Sequence, residues 1–84
     1  MRIEGQGALY TAGKEKLADV EYLILATEEM DASESRITQV WTNHRIFVFD
    51  RELILETEES KRYKFLVTTK FPDHIMFAGY TRPE

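Results

Sequence analysis

The sequence contains no cysteine, only two prolines and four glycines in 84 residues. The absence of cysteine excludes disulfides, zinc–thiolate sites and thiol nucleophiles, and it favours a reducing compartment. Long apolar runs are missing too, and the uncharged stretch 22–27 is far too short to span a bilayer. The N-terminal residues 1–5 lack the apolar core of a signal peptide. We therefore expect a cytoplasmic protein with no membrane contact.

Positive charge is in the minority, because 11 Lys and Arg are outnumbered by 15 Asp and Glu, which gives a net charge of -4. Affinity for nucleic acids comes mainly from neutralising phosphates. The overall balance therefore disfavours nucleic acid as a partner, although it does not describe individual patches. A chain of 84 residues predicts one small domain, residues 1–84, whose stability is marginal unless a partner or a second copy assists it.

The strongest pattern that is present is a self-complementary hairpin from Leu53 to Val67. If residues 59–61 form its loop, one face matches apolar residues and the other matches opposite charges. The pairs expected are Leu53–Val67, Leu55–Phe65, Glu56–Lys64 and Glu58–Arg62. Each such pair contributes only about 0.2–1 kcal/mol, but together they favour one register.

Strand-like alternation recurs along most of the chain. We predict further strands over 3–10, 17–27, 36–42, 45–50 and 74–80, and we expect residues 81–84 to fray. Gly5 and Gly7 indicate a bulge or a close approach of two backbones. About seven strands joined by short turns predict an all-β fold, an antiparallel meander that closes into a barrel or a two-layer sandwich.

Residues 14–30 leave an alternative open, since their composition also allows a helix and hence an α+β fold. On a helical projection, however, the apolar residues fall on both sides. As a strand, the same segment places one apolar set on a single face: Ala18, Val20, Tyr22, Ile24 and Ala26. The strand is therefore favoured.

Two-residue turns at 43–44 and 51–52 predict a core that includes Ile37, Trp41, Ile46 and Val48. The opposite face is then not wholly polar, and its apolar members form a candidate interface: Val40, Phe47, Phe49, Ile54 and Leu66. A contiguous apolar patch on an outer face usually has a cover. Either another part of this chain, such as the N-terminal hairpin or the acidic loop 28–35, or a protein partner or second copy would supply it.

Residues suited to catalysis or metal binding are few. His44 and His74 lie in or beside predicted turns, outside any metal-ligand spacing, and a His44–Asp50 acid–base pair is the only catalytic candidate. Glu56 and Glu58 are expected to pair with basic residues across the hairpin. No cofactor motif is present, so we expect a protein that is not an enzyme and holds no metal.

The sequence thus favours a non-enzymatic interaction or self-associating β module, whose protein partner is unidentified. A single-stranded nucleic-acid binder is the alternative, with the candidate contacts Trp41, Arg45, Arg62 and Lys64. A third hypothesis is a small-molecule binder or enzyme with a pocket beside His44 and Trp41 in the barrel mouth.

Overall fold

A computed structural model describes residues 2–25, 35–47 and 51–84 of the chain. The described residues form six strands and no helix. These are β1 (Arg2–Thr11), β2 (Lys16–Leu25), β3 (Arg36–Thr42), β4 (Glu52–Glu56), β5 (Arg62–Lys70) and β6 (Met76–Pro83). The prediction of a small all-β domain is confirmed.

All neighbouring strands are antiparallel, and they close into a barrel in the order β1-β2-β3-β6-β5-β4. The barrel therefore consists of two three-stranded meanders that join along β3–β6 and along β1–β4. This connectivity corrects the expectation of a single meander, because the chain crosses from β3 to β4 instead of turning back beside β3. The predicted strand 45–50 is also wrong in its described part, since residues 45–47 belong to no strand.

The second strand settles the question of helix or strand in residues 14–30. Ala18, Val20, Tyr22 and Ile24 are all buried in alternation with exposed or half-buried neighbours. This is the period of two that a strand with one buried face requires. The helical alternative is therefore wrong over the described residues, whereas Ala26 lies outside them.

The β4–β5 hairpin has the predicted faces but a different register. Leu53 pairs with Phe65 and Glu56 pairs with Arg62, each two residues from the expected partner. The three-residue loop is 58–60, closed by a hydrogen bond from the Thr57 amide to the Lys61 carbonyl. Ser60 adopts the left-handed conformation (φ 63°) that ends such loops. Because the shift is an even number, no side chain changes face.

The faces of β3 are the reverse of those predicted. Val40 is fully buried, together with the two threonines that alternate with it, Thr38 and Thr42. Ile37 and Trp41 therefore point outward and do not belong to the core, as was expected of them. Both inward threonines have hydrogen-bond partners: the Thr38 hydroxyl oxygen lies 2.8 Å from that of Thr81, and the Thr42 hydroxyl donates to the His44 carbonyl at 2.6 Å.

The barrel interior is filled by side chains from all six strands. The buried apolar cluster consists of Leu9, Ala18, Val20, Tyr22, Ile24, Val40, Ile46, Leu53, Leu55, Phe65, Val67 and Phe77. Interiors of small barrels are packed in this way, and they leave no central channel. The third hypothesis, a ligand pocket within the barrel mouth, receives no support from this packing.

The last strand runs later than the predicted 74–80 and continues to Pro83. Its turn is built on Pro72, and the His74 amide donates to the Phe71 carbonyl at 3.0 Å. Thr81 is fully buried and pairs with Arg36 of β3, so the expectation that residues 81–84 fray is wrong for Thr81 to Pro83.

Gly7 and Gly79 each mark a close approach between neighbouring backbones. A Cβ atom on Gly7 would lie 2.0 Å from the Glu56 carbonyl oxygen, and one on Gly79 would lie 1.9 Å from that of Leu66. Gly7 therefore confirms the predicted close approach, which occurs at the β1–β4 seam that closes the barrel. Any side chain there would push the two strands apart.

The strands are strongly tilted relative to the barrel axis. Each residue has a partner directly opposite it on the next strand. Following these partners from Arg2 of β1 through β2, β3, β6 and β5 leads to Glu52 of β4. The next residue of β4, Leu53, pairs with Thr11 at the far end of β1. After one circuit around the barrel, the path of paired residues has therefore shifted by most of the length of β1. Strands that are tilted relative to the barrel axis produce such a stagger. A row of paired residues consequently runs obliquely along the barrel, and its central members face one side.

Candidate functional site

Four exposed apolar side chains form a continuous row on the outside of the barrel. Leu25 pairs with Ile37, Ile37 pairs with Tyr80, and Tyr80 pairs with Leu66. Their exposed fractions lie between 43% and 56%. Adjacent strands lie about 4.8 Å apart, so this apolar row extends about 14 Å across β2, β3, β6 and β5.

The row exists because the inward sets of these strands fix which residues remain outside. Ile24 is buried on β2 and Thr38 on β3, so Leu25 and Ile37 must point outward. On β6 the buried residues Gly79 and Thr81 leave Tyr80 outside. Three hydrophobic side chains are therefore exposed by the alternation that buries their neighbours.

The two ends of the row carry opposite charges. Arg2 of β1 pairs with Leu25, and Glu52 of β4 pairs with Leu66. Arg2 also contacts Glu4, with 3.1 Å between the guanidinium Nη2 and the carboxylate Oε2, and both side chains are largely exposed. The complete order along the row is Arg2, Leu25, Ile37, Tyr80, Leu66, Glu52. Its terminal residues differ in charge, but Glu4 lies against Arg2, and two basic residues, Lys64 and Arg82, lie beside Glu52.

A shallow depression of about 410 Å³ adjoins the Leu66 end of the row. Its lining includes Lys64 and Arg82, which are directly paired across β5 and β6. Like charges that face each other across strands are unfavourable. The basic pair and the apolar row thus lie side by side on the same part of the barrel.

Of the predicted interface residues, only Leu66 belongs to this row. Val40 lies in the core with no exposure, and Ile54 is only 7% exposed, so neither lines an outer surface. Phe47 is 63% exposed but packs on the His74 ring, with 4.4 Å between ring centroids, away from the row. Phe49 lies outside the described residues.

The predicted nucleic-acid contacts do not come together. Trp41 pairs with Glu21, whereas Lys64 pairs with Arg82, at the level of Ser35 on β3. Six residues of β3 separate these two levels, which corresponds to about 20 Å. The lining of the depression beside Trp41 contains two carboxylates, Asp19 and Glu21, which would repel phosphate.

The two remaining basic candidates, Arg62 and Arg45, also do not come together. Arg62 donates from Nε to the Glu56 carboxylate at 3.0 Å and lies over the Tyr10 ring, so its charge is engaged within the hairpin. This ion pair replaces the predicted Glu58–Arg62 and Glu56–Lys64 pairs. Arg45 is exposed just after β3, near neither Arg62 nor Lys64 in the strand order.

The predicted pair of His44 and Asp50 is not tested by the described residues. His44 contacts the side-chain oxygen of its neighbour Asn43, 2.9 Å from the ring Nδ1, and Asp50 lies outside the described residues. The depression of about 590 Å³ beside Trp41 does not include His44 in its lining. In residues 2–25, 35–47 and 51–84 there is no cluster of three His, Asp or Glu that could hold a metal ion.

Among the described residues, the side chains of Lys16 and Asp73 have pKa values that depart clearly from the ordinary range, and neither residue belongs to the row. The Asp19 carboxylate, 2.7 Å from the Lys16 ammonium, raises the pKa of that lysine by hydrogen bonding and charge attraction. The backbone amides of Ile75 and Met76 lower the pKa of the Asp73 carboxyl by donating to it. Both effects stabilise local structure at the protein surface.

Sequence reasoning missed three members of the row, namely Leu25, Ile37 and Tyr80. On β6, Phe77, Gly79 and Thr81 alternate with Tyr80. Small and apolar residues at those three positions indicate the inner face of the strand, so the sequence contained a signal that Tyr80 lies outside. No protein-family model, curated protein or solved structure matches this chain. The described part of the chain has no helix with the length and apolarity needed for a membrane crossing.

Proposed function

We propose that this protein is a non-enzymatic binding module that docks onto another protein surface through the apolar row. The observation that supports the proposal is the direct pairing of Leu25, Ile37, Tyr80 and Leu66 across four strands. Single exposed hydrophobic residues are normal on protein surfaces. A contiguous set of four, with charges at both ends, is typical of an interaction surface.

The closed barrel supports docking through side chains. Each of the six strands is paired on both sides over at least part of its length, so no strand of the described barrel has a wholly open edge for a partner strand. Binding therefore depends on what the outer faces present. Among those faces, the row combines large apolar side chains with Tyr80, a residue type that is frequent in binding hot spots.

The composition is also compatible with this function. The absence of cysteine is compatible with a cytoplasmic location, because the cytoplasm is reducing and disulfides rarely form there. The separation of Trp41 from Lys64 makes the nucleic-acid alternative less favourable than protein binding. We therefore propose a protein, and not a nucleotide or a metal, as the class of ligand.

Site-specific photocrosslinking tests the proposal directly. A photoreactive phenylalanine analogue at position 80 should form a defined protein adduct in cells that express the chain. The same analogue at position 47, which is equally apolar but lies off the row, is the matched control. Equal adducts at both positions, or none at position 80, would show that the row is not a binding surface.

Ile37→Glu provides the second part of the test. Ile37 is 56% exposed, so a carboxylate there is solvated and the barrel should keep its fold, as circular dichroism would show. The adduct formed from position 80 should then be lost. Phe47→Glu makes the same chemical change off the row and should leave the adduct intact.

A further inference from the structure

The guanidinium of Arg36 holds a buried hydrogen-bond donor that the protein does not satisfy. Among the side-chain nitrogen and oxygen atoms of residues 2–25, 35–47 and 51–84, its Nε is the buried atom without a hydrogen-bond partner. No carboxylate of those residues forms an ion pair with it either. Leaving a buried charged donor without an acceptor is destabilising, and a bound ligand is one explanation for such a group.

Strand alternation places Arg36 at one end of the barrel. It is the first residue of β3 and shares the inner face with Thr38 and Val40, which are fully buried. Its exposed neighbour Ile37 points outward to the apolar row. His44 follows the other end of β3, so Arg36 lies at the opposite end of the barrel from the pocket expected beside His44.

An open depression of about 500 Å³ lies at this end, outside the packed interior. Arg36 of β3 lines it together with Ile3 of β1, Tyr63 of β5 and Pro83 of β6. The remaining lining residues are Lys61, Arg62 and Glu84. Sites for small ligands have volumes of about 300–1,000 Å³ and combine apolar walls with a few polar groups. None of the lining residues belongs to the apolar row.

The charges around the depression leave one cation without a counter-ion. Arg62 lies 3.0 Å from the Glu56 carboxylate, and the Lys61 ammonium lies 3.6 Å from the Glu59 carboxylate. Arg36 has no such partner in the described part of the chain. A guanidinium presents parallel N–H donors that match the two oxygens of a carboxylate, so Arg36 is suited to a ligand with one carboxylate group.

We propose that this end of the barrel binds an organic monocarboxylate with a small apolar or aromatic body. The carboxylate accepts hydrogen bonds from Nε and one Nη of Arg36, which satisfies the buried donor. The body of the ligand packs against Ile3, Tyr63 and Pro83. The Glu84 carboxylate in the lining repels a second negative charge on the ligand. This site goes beyond the proposed function, because it is separate from the row.

NMR spectra of the arginine Nε–H groups, recorded while sodium benzoate is added to the purified chain, test the proposal. The Arg36 signal should shift and saturate with a dissociation constant on the order of 1 mM. The signal of Arg45, which is exposed beyond the other end of β3, should stay in place. Inorganic phosphate and sodium chloride at the same ionic strength should bind more weakly than benzoate.

Substitutions in the depression identify the groups that hold benzoate, with binding followed at the backbone amide of Tyr63. Arg36→Lys keeps the charge but loses the planar pair of donors, so it should weaken binding by about tenfold. Glu84→Gln removes a like charge and should strengthen binding by about two- to fivefold. Arg45→Lys is the matched control and should bind benzoate as the wild type does.

Thermal unfolding adds a measurement that a purely structural role of Arg36 would not produce. Arg36→Met removes the unpaired donor and keeps an apolar stem, so without ligand it should unfold at a temperature no lower than the wild type. Saturating benzoate should raise the midpoint of the wild type and leave that of Arg36→Met unchanged.

Four results would overturn the proposal. They are a lack of a saturable shift at Arg36, equal shifts at Arg36 and Arg45, a lower midpoint for ligand-free Arg36→Met, and a benzoate-induced rise that persists in Arg36→Met. Equal shifts would mean an adventitious ion only. Each of these results would leave the proposed function intact, because the crosslinks from position 80 do not involve the depression.

Discussion

At the scale of single residues, the barrel core contains two threonine hydroxyls that depend on each other. Thr38 donates to the Arg36 carbonyl at 3.0 Å, so Thr81 must supply the proton of the 2.8 Å contact between the two hydroxyls. Both residues are fully buried. We expect Thr38→Val to lower the free energy of unfolding by about 1–3 kcal/mol, because it leaves the Thr81 donor without an acceptor. Urea unfolding would measure the change.

The double variant Thr38→Val with Thr81→Val is the control for this prediction. It removes both polar groups and keeps the shape of both side chains, so it should be more stable than Thr38→Val alone. If the costs of the two single substitutions simply add in the double variant, the hydroxyls are not coupled and the prediction is wrong.

Asp73 gives the barrel a pH-dependent contribution at a single turn. Its carboxylate accepts hydrogen bonds from the amides of Ile75 at 2.9 Å and Met76 at 3.1 Å, which lowers the pKa of Asp73 from its ordinary value of 3.8. A carboxylate with a lowered pKa stabilises the fold above the ordinary value, and that stabilisation is lost as the pH falls through the lowered one.

We therefore expect Asp73→Ala to be less stable than the wild type at neutral pH, with a deficit that shrinks as the pH falls below about 4. Urea unfolding at a series of pH values would measure the deficit. Asp73→Asn keeps an acceptor oxygen but no charge, so it should recover part of the stability without the pH dependence. A deficit for Asp73→Ala that is constant across the series would contradict the prediction.

At the scale of single elements, alternation predicted the faces of most strands but could not fix every register. In the β4–β5 hairpin, Phe65 and Val67 are equally suitable apolar partners for Leu53, so local pairing allows either register. The left-handed conformation of Ser60 determines the loop, and no residue in 58–61 is a glycine that would have indicated it.

The third strand shows a different limit of the sequence. Ile37 and Trp41 alternate with Val40, so apolar residues occupy both of its faces. Hydrophobicity therefore favours the wrong face, because the inner face includes Thr38 and Thr42. The burial of threonine depends on a partner hydroxyl from β6, 43 residues away in sequence. Such a partner cannot be recognised from the strand alone.

Gly7 lies where β1 and β4 pair to close the barrel, and it has no room for a side chain. Its Cβ position lies 2.0 Å from the Glu56 carbonyl oxygen, which belongs to backbone and cannot rotate away. We expect Gly7→Ala to lower the free energy of unfolding by about 3 kcal/mol or more, because β1 and β4 must separate. Thermal or urea unfolding would measure the loss.

Gly13→Ala is the matched control within the same part of the chain. The nearest atom to its Cβ position is the Thr11 hydroxyl at 3.7 Å, and its φ is not positive. This substitution should be neutral or stabilise by up to about 1 kcal/mol, because it restricts the unfolded chain. If Gly7→Ala and Gly13→Ala change the free energy of unfolding equally, the close approach of β1 and β4 does not determine the cost and the prediction is wrong.

At the scale of the whole molecule, the sequence predicted a small all-β domain, a barrel or a two-layer sandwich, but not the strand order or the site. Short turns favour pairing between successive strands, whereas β3 and β4 are successive and lie apart in the barrel. The apolar row combines residues from both meanders through the β3–β6 pairing. Only Leu66 was predicted, because the other members become neighbours through contacts that the barrel closure creates.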